Sequence, residues 1–402
     1  MKIISINAWT IGSTGRIMLE CAKAARNTGD EVHVFSKAWI GQDYEGILNH
    51  HVIGNYFCNR VHVRLARYSG LHGCFSLLST LKMLREIDRI QPDLIHLHNL
   101  HGWFLNLPLL FLYIKKKHTR VIWTLHDCWS FTGHCPHFET EKCSKWKTGC
   151  YACPRYREYP ASNVDRSHFL WKMKKWCFTG IHNMVIVTPS EWLANLVKQS
   201  YLQAYPVKVI PNGIDHSIFI PRQSDFKQKH GIEGRFMVLG VAFDWGYKKG
   251  LDVFVALAQQ MDARFAFVIV GADAEIEAQL DGRIIAIRRT NCMEELAEIY
   301  SAADVFLNPT REDTFPTVNI EALACGTPVV AFETGGSPEI INTKCGVVIH
   351  SRTVDETLNV LEKICEHKIS FSAADCTERA LLFRQERCYK DYVGLYHRED
   401  LK

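Results

Sequence analysis

Short β-branched runs alternate with longer amphipathic stretches from the first residues onward. Lys2–Asn7 has the composition of a buried strand, and Gly12-Ser13-Thr14-Gly15 reads as a turn. Arg16–Asn27 then reads as a helix, with Ile17, Leu19, Ala22 and Ala25 as its apolar positions. Further strands are predicted at Glu31–Phe35, Leu94–His98, Arg120–Leu125 and Met184–Thr188, with helices at Leu105–Lys116 and Glu191–Ser200. Strand–helix–strand alternation predicts a parallel sheet covered on both faces. A glycine turn directly after the first strand lies on the carboxyl edge of such a sheet, where ligands bind.

The alternation lapses between Val207 and Arg235, where Pro, Gly, Asn and Asp mark a loop or linker. It resumes with strands at Phe236–Val241, Phe265–Gly271, Arg283–Ile287, Val305–Asn308 and Pro328–Ala331. Helices are predicted at Leu251–Met261 and Met293–Ser301, and one long helix from Ala373 to about Tyr396. The fold class expected is α/β, with two Rossmann-like domains facing each other across a cleft. At 402 residues the chain is too long for one ordinary core, which agrees with two domains.

Composition narrows the function classes. The apolar fraction of 47% and the charged fraction of 22% are those of a soluble globular protein. A net charge of +4 does not argue for nucleic acid, and no nucleic-acid-binding motif accompanies it. MKIISINAWT is too short and too polar after Ile6 for a signal peptide, and no apolar run is long enough to span a bilayer. The 15 cysteines are then expected as reduced thiols or metal ligands rather than a disulfide framework.

The densest chemistry lies in Arg311–Glu339. Asp313 and Glu321 bracket a seven-residue gap containing Pro316, which places a helix start near Thr317. A helix start carries unpaired N–H groups and partial positive charge, so the backbone of Phe315, Pro316, Thr317 and Val318 is a candidate phosphate cradle. Carboxylates beside it can accept hydrogen bonds from sugar hydroxyls. The plainer reading is an ordinary helix start whose dipole favours nearby acids.

Two other regions carry candidate chemistry. Cys135, Cys143, Cys150 and Cys153 follow one another in a polar, aromatic loop, and the Cys150–Cys153 pair has zinc-knuckle spacing. Structural zinc is one expectation. Unligated thiols are the main alternative and disulfides the third, with His134 or His137 able to replace one ligand. His96 and His98 alternate on one strand and so face one side, as cleft wall or core. In Asp165–Phe178, Lys172, Lys174 and Lys175 with Trp171 and Trp176 suit an anionic membrane surface, or equally an amphipathic helix with inward Trp residues. Arg60, Arg64, Arg67 and the leucine-rich stretch after Gly73 add to the membrane reading.

Together the segments Gly12–Arg16, Leu125–Asp127, Val209–Asp215, Lys249–Leu251, Asp304–Pro309 and Arg311–Glu339 resemble the GT-B glycosyltransferases of family 4, retaining enzymes that use nucleotide-sugar donors. Residues 123–166 resemble more narrowly the exopolysaccharide glycosyltransferases of the colanic-acid type. The resemblance implies an acceptor-binding domain over 1–208 with a Cys-rich insertion at 128–160. It also implies a nucleotide-sugar-binding domain over 209–380 and a C-terminal helix, 381–402, that returns to the first domain. Catalytic residues implied are His126, Asp313 and Glu321. His126 and Asp313 meet the donor sugar, Glu321 meets the ribose, and Asp127 orients the His126 ring. Donor binding falls to Gly12, Lys248, Lys249, Phe315, Pro316, Thr317, Val318 and Glu321, and acceptor binding to Gly15 and Arg16. Two departures stand out. The family has Glu where this chain has Asp313, with Glu312 one position away, and Arg where it has Asp244, so that Lys248 is the expected substitute.

The expected activity is a retaining hexosyl transfer from a nucleoside-diphosphate sugar to a lipid-linked oligosaccharide, in bacterial exopolysaccharide or capsule synthesis. No cofactor is required for catalysis in this reading, since Lys249 and helix-start amides stabilise the leaving diphosphate. The expected location is the cytoplasm, peripheral on the inner face of the cell membrane. A nucleotide-sugar epimerase or hydrolase on the same fold, and a non-catalytic saccharide-binding scaffold, are the alternatives.

Overall fold

The computed structural model describes residues 1–38, 46–280 and 282–398. Met1–Ile210 and Tyr389–Lys402 form one unit, and Pro211–Cys388 forms the other.

In the first unit the strands are β1 (Lys2–Ile6), β2 (Glu31–Lys37), β3 (His50–Ile53), β4 (Leu94–Leu97), β5 (Arg120–Thr124), β6 (Met184–Thr188) and β7 (Val207–Val209). They lie parallel in the order β3-β2-β1-β4-β5-β6-β7. The helices are α1 (Gly12–Asn27), α2 (Tyr56–Ser69), α3 (Leu77–Ile90), α4 (Leu107–Lys117), α5 (Ser167–Phe178) and α6 (Glu191–Val197). Every residue of β4, β5 and β6 is buried, as helices on both faces of a parallel sheet require. The order reverses direction between β1 and β4, so the loops leaving these two strands part at a switch point.

The second unit repeats the plan. It contains α7 (Phe226–Lys229), β8 (Phe236–Val241), α8 (Leu251–Gln260), β9 (Phe265–Val270), α9 (Ala274–Gln279), β10 (Ile284–Ile287), α10 (Met293–Ala302) and β11 (Val305–Asn308). After these come α11 (Thr317–Ala324), β12 (Val329–Phe332), α12 (Ser337–Ile340), β13 (Gly346–Ile349), α13 (Val354–Cys365) and α14 (Ala373–Ala380). Its sheet runs β10-β9-β8-β11-β12-β13, with the switch point between β8 and β11.

Several elements differ from the sequence expectation, and β3, α3, β7, β13 and α13 lie where no element was predicted. Helix α1 begins at Gly12 rather than after a 12–15 turn. Gly15 therefore sits inside the helix, where a Cβ would stand 2.4 Å from the Thr10 carbonyl carbon. The tail is two helices, α14 and α15 (Gln385–Tyr396), broken at Leu381–Phe383. In α5, Trp171 and Lys174 face inward while Lys172, Lys175 and Trp176 are exposed, so the helix divides its cationic and aromatic residues between its two faces. Helix α2 was not expected at all. It buries Asn59, His62 and Ala66 and exposes Phe57, Val61, Leu65 and Tyr68, which inverts the usual amphipathic pattern.

The end of α15 packs on the first sheet. Arg120, on β5, donates to the carbonyls of Leu395 and Tyr396, both at 2.6 Å. The Tyr396 hydroxyl meets His96 Nδ1 at 2.9 Å, and the Tyr392 hydroxyl lies 3.3 Å from that of Thr124. Among the described residues no helix is long and apolar enough to cross a membrane.

Candidate functional site

In the second unit the candidate residues gather on two loops, after β8 and after β11, at the switch point. The loops are fastened to each other. Lys248 O accepts from the Arg311 amide at 2.8 Å, and Arg311 forms a two-bond pair with Asp252, both bonds 2.8 Å, while stacking 4.0 Å above the Tyr247 ring. Two glycines permit this closeness at positive φ. A Cβ on Gly250 would lie 2.5 Å from Pro309 O, and one on Gly335 would lie 1.8 Å from Asp313 O.

On this frame Lys249 Nζ meets Asp313 Oδ2 at 2.9 Å, with the side chains 34% and 22% exposed. The other Asp313 oxygen accepts from the Phe315 amide at 3.2 Å. Pro316 ends the extended segment and α11 starts at Thr317, as the proline predicted. The N-cap residue, Pro316, makes no side-chain cap bond, so the first amides of α11, including those of Thr317 and Val318, are groups of the kind that can meet an anion. The Phe315 ring is buried against Phe383. Glu321 lies one turn on and accepts from the Tyr300 hydroxyl at 3.1 Å. Burial and the Glu321 charge hold that phenol well above its ordinary pKa. Glu312 is buried, 3.8 Å from the half-exposed Lys248 ammonium, so it is not the acid that reaches outward beside Asp313. Asp244 is exposed, next to a fully exposed Phe243.

In the first unit the chemistry is a row of imidazoles. His126 follows β5, and its Nε2 lies 3.1 Å from His98 Nδ1, the rings stacked at 12°. The expected partner, Asp127, is engaged elsewhere. It accepts from His101 Nε2 and from the Trp129 amide, each at 2.8 Å. Burial opposes the Asp127 charge, yet His101 and these hydrogen bonds hold its pKa at about 2. Burial pushes His126 down to about 4 and His98 well below its usual value, so both are neutral at pH 7. Among the described residues His98 Nε2 is buried with no hydrogen-bond partner. A bare lone pair there costs less than an orphaned N–H, so His98 donates from Nδ1 and His126 carries its own proton on Nδ1. His96 shares the same side of β4, its ring 4.0 Å from that of His98, and bonds Thr124 and Tyr396 within the core.

Gly12 and Gly15 occupy the first turn of α1, and Arg16 is half-buried beside them. Sequence reasoning missed two residues that build this edge. Asn7 donates to Trp9 O at 2.7 Å and accepts from the Asn99 amide at 2.9 Å, joining the loops after β1 and β4. Lys37 is buried at the end of β2, 3.1 Å above the Trp9 ring, and donates to Gly102 O. Burial lowers its pKa to about 7. A polar residue ending each strand is the signal that could have marked both.

The zinc expectation finds no support among the described residues. Cys135, Cys143, Cys150 and Cys153 line one cavity of about 20 Å³, but among the described residues no three His, Cys, Asp or Glu side chains are placed to share a metal ion. Cys135 and Cys153 hydrogen-bond each other, and Cys150 Sγ accepts from the Gly133 amide at 3.1 Å. The insertion has a core of its own instead. Trp146 packs on Phe131 and Phe138 at centroid distances of 5.2 and 5.1 Å. Beneath it the buried Lys174 ammonium donates to Trp129 O at 2.7 Å and Thr132 O at 3.0 Å.

Comparison with known proteins follows the same two units. The family model described as Glycosyltransferase Family 4 matches residues 14–218, and that described as Glycosyl transferases group 1 matches 234–367. The chain is 24% identical over 325 residues to the putative colanic acid biosynthesis glycosyl transferase WcaC of Escherichia coli K12, covering 78% of this chain and 79% of that one. Sucrose-phosphate synthase from Thermosynechococcus elongatus superposes with a TM-score of 0.71 at 17% identity, over 98% of both chains. Anabaena HepE in complex with UDP-glucose superposes with a TM-score of 0.67 at 15% identity, over 98% of this chain and 99% of that one. The fold of the two units is that of GT-B glycosyltransferases.

Proposed function

Because the chain belongs to glycosyltransferase family 4, we propose that it transfers a hexose from a nucleoside-diphosphate sugar, with retention, to a lipid-linked saccharide in bacterial exopolysaccharide or capsule synthesis. The observation that carries this reading is the Lys249–Asp313 pair beside the uncapped start of α11. A cation and convergent amides suit a departing diphosphate, whose charge grows as the glycosidic bond breaks. The WcaC likeness supports the polysaccharide setting, and the HepE complex makes UDP-sugars the first donors to test.

In this reading the amides of Phe315, Thr317 and Val318 hold the diphosphate, with Pro316 setting the helix start. Lys249 neutralises the diphosphate and Lys248 adds a second cation. Glu321 accepts from the ribose hydroxyls. Asp313 and the Nδ1–H of His126 meet hydroxyls of the donor sugar. Gly12 lends its backbone to the donor, and Gly15 and Arg16 meet the acceptor. No side chain is assigned as general base. The acceptor oxygen bonds to the anomeric carbon on the face the diphosphate leaves, and the acceptor proton passes to the departing phosphate oxygen.

The test is a panel of nucleotide sugars assayed by thermal shift, followed by transfer of labelled sugar to a lipid-linked acceptor fraction. One donor should raise the melting temperature and label the acceptor, and Glu321→Ala should abolish both. Rapid donor turnover without acceptor would replace this reading with an epimerase or hydrolase. Full transfer by Glu321→Ala would remove the site from catalysis.

A further inference from the structure

We propose that the outward face of α2, with the start of α3, docks on the anionic surface of a lipid bilayer. Phe57, Val61, Leu65 and Tyr68 recur at helical spacing along α2 and are 74%, 37%, 44% and 71% exposed. Leu77 and Leu78, at the start of α3, are exposed at 53% and 74%. Large side chains are turned outward while the face against the protein takes Asn59, His62 and Ala66. A helix of a soluble surface has these reversed.

Charge selects the partner. Arg60, Arg64 and Arg67 recur beside the apolar stripe and are exposed, and α2 contains no acidic residue. Lys82 adds an exposed cation on α3. A protein that covered this face would have to strip water from three guanidinium groups. A headgroup layer instead offers a phosphate to each of them while the apolar stripe enters the acyl boundary. A groove of about 410 Å³ opens between β3, α2 and α3, walled by Phe35, Ile53, Cys58, Leu78 and Met83 among others. Leu78 belongs to both the exposed stripe and this groove, whose wall also carries His51, Asn55, Ser79, Lys82 and Glu86, so a mixed polar and apolar cleft opens beside the stripe. In α5, by contrast, Lys174 and Trp171 are buried and the exposed large apolar side chains are two, Phe169 and Trp176, against four on α2.

The inference rests on the lipid-linked acceptor proposed above for its purpose, but its test needs neither donor nor acceptor. The full chain is sedimented with phosphatidylglycerol-containing vesicles and with pure phosphatidylcholine vesicles. Wild type should pellet with the former, less so as salt rises. Combining Arg60→Gln, Arg64→Gln and Arg67→Gln should weaken binding about a hundredfold, and Phe57→Ser with Tyr68→Ser should also release it. Anionic vesicles should slow alkylation of Cys58, in the groove wall, by a water-soluble maleimide, while the exposed Cys292 of the other unit keeps its rate. The melting temperature without ligand should be equal in all variants, which shows that they are folded and separates this test from the transferase reading. Wild type left in the supernatant, variants that pellet like wild type, or an unchanged Cys58 rate would overturn the proposal and leave the face to a protein partner.

Discussion

The two units place chemistry at the same topological position and use opposite means. At the switch point of the second unit, Lys249 and Asp313 are partly exposed and paired, an arrangement in which an incoming anion could take the place of the carboxylate. At the switch point of the first, His98 is buried and His126 partly buried, both are neutral, and one shared hydrogen bond orients them. An exposed pair can rearrange at little cost because water screens it. A buried pair cannot, since an unpartnered N–H would be left in low dielectric. The second unit is therefore built to respond to charge, and the first to hold a fixed geometry.

The contrast breaks most visibly at Lys249. Lys249→Ala should lower kcat for sugar transfer about 10²–10³-fold, while the melting temperature barely moves, because the exposed pair contributes only about 0–1 kcal/mol. A large loss of stability would show that the pair is structural. In the first unit the order is reversed. Lys174→Met removes two hydrogen bonds from buried carbonyls and should cost about 2–3 kcal/mol in denaturant unfolding, with UDP affinity of the second unit unchanged.

His98 sharpens the comparison further. His98→Phe should reduce kcat roughly tenfold or more through misplacement of His126, whereas His98→Asn, which keeps a donor near Nδ1, should stay within about threefold of wild type. Nitrogen chemical shifts of the His126 ring should report a proton on Nδ1 in the native chain. Equal activity of the two variants would remove His98 from the site.

Acid separates the units by titration. Burial holds His62 and His96 at about 3, and His50, His126 and His134 at about 4, against an ordinary value of 6.5. Their folded-state values are depressed, so the neutral-state stability they support is whole above pH 6.5 and is lost as pH falls from 6.5 towards 4. Hydrogen exchange should show peptides of the first unit losing protection over that window before those of the second. Simultaneous loss in both units would mean that they unfold together.

Periodicity was enough to read both sheets where strands are wholly buried, as in β4, β5 and β6, because continuous β-branched runs have few alternatives. The start of α11 was legible for a local reason, since Pro316 restricts the residue before it. Lys249 and Glu321 came from spacing within a family pattern. The partner of His126 did not. Asp127 is its neighbour in sequence, but the geometry of β4 and β5 brings in His98 from another strand. Asn7 and Lys37 were missed for the same reason, since their partners belong to loops far away in sequence. Helix α2 was hidden by its inverted faces, because a search for an inward apolar stripe passes over a helix that turns its apolar stripe outward.

The clamp of Arg120 on the last turn of α15 also bears on the order of synthesis. The first unit takes in residues from Tyr389 onward as well as Met1–Ile210, so emergence of residues 1–210 from the ribosome does not complete it. Tyr392 and Tyr396, which close over Thr124 and His96, are translated after the whole of the second unit. A nascent chain halted before Tyr389 would carry an entire second unit and a first one still open at β5. The N-terminal half, although made first, is then the last to be finished.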